Sequence, residues 1–156
     1  MGKSGFVVAE KGHFVQLIAP ISTNTALTSE VFSMENWSHA SIGVYCGAGS
    51  SFTITVDECD NFTPDSAATM TFAYTQETTA AGDTLGAALT DATTAGCSTG
   101  AGSGVFTLLE IDADEMTDGM PCLRIHTSGC TASLMAAFAI LSGGRFQEDI
   151  TATVIA

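Results

Sequence analysis

The sequence predicts an all-β fold, a single-domain β-sandwich, on three observations. Apolar and polar residues alternate with a period of two through most candidate elements. Those stretches are filled by β-branched and aromatic residues, which suit a half-buried pleated surface. Good helix formers in heptad-like spacing are missing almost everywhere. The 156 residues suffice for one compact domain and are too few to expect two. With 46% hydrophobic and 13% charged residues, the composition is that of a chain that folds.

The first strand signal is "HASIGVYC", where Ala40, Ile42, Val44 and Cys46 share one face, and "SFTITVDE" follows with Phe52, Ile54 and Val56. Residues 47–50 between them make a Gly-Ser turn long enough for a hairpin. "ATMTFAYTQ" continues the pattern as one strand with Met70, Phe72 and Tyr74. "GVFTLLEID" is expected to turn Phe106, Leu108 and Ile111 toward a core, and "MPCLRIHTS" to turn Cys122 or Leu123 and Ile125 inward. One short helix is expected near 112–118, with Asp112 as N-cap, Gly119 as stop and Pro121 beyond, at a sandwich edge where the chain crosses between sheets.

In "LMAAFAIL", residues 134–141, both alternating faces are apolar. That predicts a central strand covered on each side, although eight residues of periodicity do not separate such a strand from a buried helix. The domain therefore spans 1–156, with an N-terminal arm over about 1–12, a Thr/Ala/Gly-rich surface excursion over about 75–104 and a C-terminal arm over about 147–156.

Charge excludes several function classes. Seventeen acidic residues against four basic ones give a formal −13, and Lys3, Lys11, Arg124 and Arg145 are scattered along the chain. A phosphate backbone or an anionic lipid surface demands clustered cations, so neither nucleic acid nor a membrane is an expected partner. No secretory leader and no membrane-spanning run is expected, since the longest apolar run has eight residues against the roughly 20 that a spanning helix needs. Five cysteines, an odd number without a Cys-x-x-Cys pair, read as buried small hydrophobes.

Catalysis finds little support in the sequence. No Gly-x-Ser-x-Gly turn exposes a nucleophile, and His13, His39 and His126 lie in no recognisable motif, so structural histidines are expected and no enzyme. "EIDADEMTDG" gathers hard oxygen ligands at Glu110, Asp112, Asp114, Glu115 and Asp118. Counted from Asp112, however, an EF-hand would need Gly at Thr117 and Glu at Leu123, so a solvated acidic helix start is expected instead of a cation site. Asp57, Glu58 and Asp60 in "VDECDN" read as an exposed acidic turn. No cofactor is expected.

Three residues are candidate contacts. Arg145 follows Gly143-Gly144, where a guanidinium is able to pair bidentately with a carboxylate of its own fold or of a partner. Phe146 and Trp37 are aromatics beside polar residues, fitting either an interface anchor or the core.

The stretches "MGKSGFVVAEKGHFVQLIAP", "TSEVFSMENWSHASIGVYCG", "ITVDECD" and "AILSGGRF" together resemble a family of small acidic proteins of tailed bacteriophages and prophages, encoded in the head-gene cluster beside the major capsid protein. The resemblance is collinear over most of the chain, and none of its motifs is a catalytic signature. It implies a structural virion role, that of a capsid cement or decoration protein on the outer surface of the head. It also implies a jelly-roll or related barrel, the major capsid protein as partner, and a homotrimer at local threefold axes. It carries over no functional residue. Another virion component, at the head completion, tail or fibre, or a carbohydrate-binding adsorption module, is the alternative.

Overall fold

The computed structural model describes residues 7–78, 88–100, 104–144 and 155. A single helical turn, α1 (Val8–Lys11), leads into β1 (Gly12–Thr23). Then come β2 (Leu27–Thr28), β3 (Phe32–Ser33), β4 (His39–Ala48), β5 (Thr53–Cys59), β6 (Ala67–Met70) and β7 (Phe72–Glu77). After them follow β8 (Thr90–Ala92), β9 (Cys97–Ser98), β10 (Val105–Asp112), a 3-10 turn (Ala113–Glu115), β11 (Cys122–Thr127) and β12 (Ser133–Ser142).

Two antiparallel sheets hold these strands. Sheet A has the order β1-β12-β4-β10-β7-β8; sheet B has β2-β11-β5-β6, with β3 on β11 and β9 on β5. The pairs β1 with β12, β2 with β11, β4 with β10 and β5 with β6 are nested in the sequence. Nested pairs are what a long antiparallel hairpin gives when it rolls over on itself, so the sandwich has jelly-roll order, with β7, β8 and β9 inserted between β6 and β10. The two sheets keep separate hydrogen-bond ladders and do not close into a barrel.

The core lies between the sheets. β12 lends it Met135, Ala137, Ala139 and Leu141, and β4 lends Ile42 and Val44. Ile54, Val56, Leu123 and Ile125 meet them from sheet B, so the small alanines of β12 face branched side chains opposite. All five cysteines are buried with free thiols. Desolvation pushes Cys59 and Cys97 up to about 11, which leaves them protonated small hydrophobes near neutral pH.

Several expectations change. Residues 47–50 do not close a hairpin, because β4 belongs to sheet A and β5 to sheet B. The chain crosses at Gly49, whose φ is +117°; a Cβ there would stand 2.6 Å from the Ser133 Cα, so only glycine passes that backbone. Similarly, "ATMTFAYTQ" is two strands. The alternation breaks at exposed Thr71, where the chain leaves β6 in sheet B for β7 in sheet A. In β10 the inward residues are Val105, Thr107, Leu109 and Ile111, so Phe106 and Leu108 face outward. The bulkier side chains misled the pattern, because buried Thr107 holds a core position and its hydroxyl accepts from the Gln76 amide.

β12 is a central strand of sheet A, as expected, but only one of its faces is packed under another layer. The expected short helix is the 3-10 turn at 113–115, opened by a capping box in which the Glu115 carboxylate accepts from the N-cap Asp112 N–H at 3.1 Å. It does sit where the chain passes from sheet A to sheet B. Within the expected 75–104 excursion, β8 pairs with β7, β9 pairs with β5, and Ala92, Cys97 and Thr99 are buried; residues 79–87 and 101–103 lie outside the described residues. Within the expected N-terminal arm, residues 8–11 form α1 and residue 12 opens β1, a strand the alternation did not reveal. Of the C-terminal arm only Ile155 is described, bridged to Phe32.

Candidate functional site

The outer faces of the two sheets differ in chemistry, and the difference follows from strand register. On sheet B, Arg124, Asp57 and Thr69 stand in one row across β11, β5 and β6. Arg124 Nε and Nη2 donate to Asp57 Oδ2 at 3.2 and 3.1 Å, His126 Nε2 donates to the same oxygen at 2.8 Å, and the Thr69 hydroxyl donates to Oδ1 at 2.9 Å. With a proton on Nε2, the His126 ring accepts from the Thr28 hydroxyl at Nδ1, at 2.8 Å. One polar network therefore ties β2, β11, β5 and β6 together on the outside of sheet B. Burial pushes the Asp57 carboxyl up, but hydrogen bonds from Thr69, His126 and Arg124 outweigh it and hold it below the usual carboxylate range.

These residues correct the reading of "VDECDN" as an exposed turn. Asp57 and Glu58 are both buried within β5. Glu58 accepts the Thr117 N–H at 2.7 Å and the Thr117 hydroxyl at 2.6 Å, which pins the segment after the 3-10 turn to sheet B. The signal available in the sequence was the alternation of Arg124 and His126 in "LRIHT" with the same period as Thr55 and Asp57 in "TITVD".

The order Thr28, His126, Asp57 is that of a hydroxyl, a base and an orienting carboxylate. Here, however, Asp57 shares its oxygen with the Arg124 guanidinium. Recesses lie elsewhere, one lined by Met34, Met116 and Pro121 and another by Phe72, Ala92 and Glu115. The network is suited to holding strands.

Sheet A presents an apolar outer face. Phe138 of β12 lies over β4, where Gly43 leaves room for it: a Cβ at residue 43 would stand 2.5 Å from Phe138 Cζ. Phe14 of β1 stacks on Phe138 with ring centroids 5.2 Å apart, and Phe106 of β10 stacks on its other side at 6.4 Å. The three rings make a ridge across four strands. Beside it, Tyr45 and Leu134 converge over Gly47. Phe14, Tyr45 and Leu134 are 59%, 46% and 48% exposed, three of the six large exposed hydrophobics among the described residues.

One end of this face is polar. His39 of β4 lies between two carboxylates of β10, with Nδ1 2.6 Å from Asp112 Oδ1 and Nε2 2.7 Å from Glu110 Oε2. The Ser41 hydroxyl also donates to Glu110 Oε2, at 2.6 Å. Both ring nitrogens face acceptors, an arrangement that only the doubly protonated imidazolium satisfies. Partial burial pulls His39 down, but the hydrogen bonds and charges of Asp112 and Glu110 outweigh it and raise its pKa. Glu110 and Asp112 of the acidic segment are thus engaged by a histidine, and among the described residues no three His, Cys, Asp or Glu side chains converge to hold a metal ion.

Of the candidate contacts, Trp37 is 3% exposed and packed between His13, 5.8 Å away, and Gly144. Its indole is part of the core. Arg145 and Phe146 lie outside the described residues. The apolar ridge escaped the sequence reading because its aromatics come from three strands and meet only through register.

No protein-family model matches the chain, and no curated protein matches it. Among solved structures, the fold is similar to the crystal structure of the SPBc2 prophage-derived protein YomS. The TM-score is 0.52, the identity 11%, and the match covers 84% of this chain and 95% of that one. At that identity the likeness shows a shared all-β sandwich fold.

Proposed function

We propose that this chain is a structural virion protein, a cement or decoration protein that binds the outside of a tailed-phage head and stabilises contacts between capsomers. The observation that carries this reading is the asymmetry of the sandwich: sheet B closes its outer face with its own polar network, whereas sheet A leaves an aromatic ridge uncovered. Such a domain acts by covering surface on another protein, not by turning over a substrate. The collinear resemblance to phage head-cluster proteins and the fold shared with a prophage-derived protein support a phage setting. The acidic chain suits the outside of a shell better than the face turned to DNA.

In this reading the major capsid protein is the partner, three copies gather at each local threefold axis, and no cofactor takes part. Many modest contacts then gain from multivalency on the assembled shell. Quantitative mass spectrometry of purified virions tests it, together with heat inactivation of virions from a deletion strain. The expected result is a copy number comparable to that of the capsid protein and heads that release DNA at lower temperature when the chain is missing. A few copies per particle, or none, would refute it.

A further inference from the structure

The uncovered face of sheet A has a chemistry that specifies its occupant. Its centre, the Phe14–Phe138–Phe106 ridge with Tyr45 beside it, is apolar. Its border along β10 is acidic, with Glu110 and Asp112 sharing one imidazolium. Among the described residues no lysine or arginine lies on this face; Lys11 precedes the edge strand and Arg124 is on sheet B.

We propose that this face docks a protein surface with an apolar centre and lysine or arginine residues placed opposite the β10 border. Opposite charge at the rim steers and orients such a contact, while the aromatic centre provides the buried anchors. A second copy fits less well. It would bring the same apolar patch but also the same carboxylates, on a chain whose formal charge is already −13. The inference rests on the virion reading for the partner's identity, the capsid shell, and adds which surface meets it and what that surface must carry.

Heads from a strain lacking the gene, mixed with purified protein and sedimented, test the proposal. The variants are Phe14→Glu and Tyr45→Glu on sheet A and Ala68→Glu on exposed β6 of sheet B, each checked for unchanged Tm. Wild type and A68E are expected to bind alike, with each sheet A variant at least about tenfold weaker. Raising salt from about 50 to about 500 mM should weaken the wild type. If F14E and Y45E bind as well as wild type, the face is wrong while the virion reading stands. If wild type itself does not bind heads, that reading fails and the partner assignment with it. A wild-type oligomer in light scattering that F14E dissociates would make a second copy the occupant and overturn the proposal.

Discussion

At the scale of single residues, two positions are tied to the outer face of sheet A. His39 is held by carboxylates on both ring nitrogens, and its pKa in the folded chain is raised. Its contribution to stability is therefore fully present below its unfolded value of about 6.5 and fades as pH rises through the folded value. His39→Gln should lower Tm clearly at about pH 5 and far less at about pH 9, as calorimetry across that range would show. A Tm difference that stays constant with pH would contradict the clamp. At Gly43 the constraint is steric, since an added methyl would displace the Phe138 ring. Gly43→Ala should cost about 1 kcal/mol, a drop in Tm of about 2–4 °C. It should also shift the ring resonances of Phe14 and Phe106, because both stack on Phe138. Unchanged resonances would show that the ridge does not rest on the glycine.

At the scale of elements, the strands of sheet B are short, and side chains outside the ladder hold them. Thr28, Arg124, His126 and Thr69 reach Asp57 directly or through one another. Removing the charge leaves a largely buried guanidinium without its partner, so Asp57→Asn should destabilise the fold by about 3 kcal/mol near neutral pH. Since the folded pKa of Asp57 is depressed, that stability is present above the unfolded value of about 3.9 and lost as pH falls through the folded one. Urea unfolding should find wild type and D57N converging as pH falls through the folded value; an equal gap at neutral and at acid pH would sink this account. The sequence carried only the matching alternation of Arg124 and His126 with Thr55 and Asp57; the network itself was hidden because its members are spread from residue 28 to residue 126 and meet only after β5 and β11 pair. The strands themselves were legible, for alternation is local. Where the chain changes sheets, at Gly49 and Thr71, alternation carries no information about the partner strand, and there the expected hairpin and the single long strand both failed.

At the scale of the whole molecule, the all-β sandwich followed from composition and period, and the crossing near residue 113 followed from its capping residues. The apolar outer face of sheet A did not follow, because exposure is a property of layers: Phe106 and Leu108 look like core residues until Thr107 and Leu109 take the inner positions. Sheet B closes its outer face with its own polar network, whereas the outer face of sheet A exposes apolar side chains. The central claim is that a phage head covers that face, and a cryo-EM reconstruction of the virion tests this most directly. The account predicts density for this sandwich on the outer shell, with sheet A turned toward the capsid and basic residues of the shell facing the β10 border. Density at the neck or tail, or on the shell with sheet B inward, would contradict it.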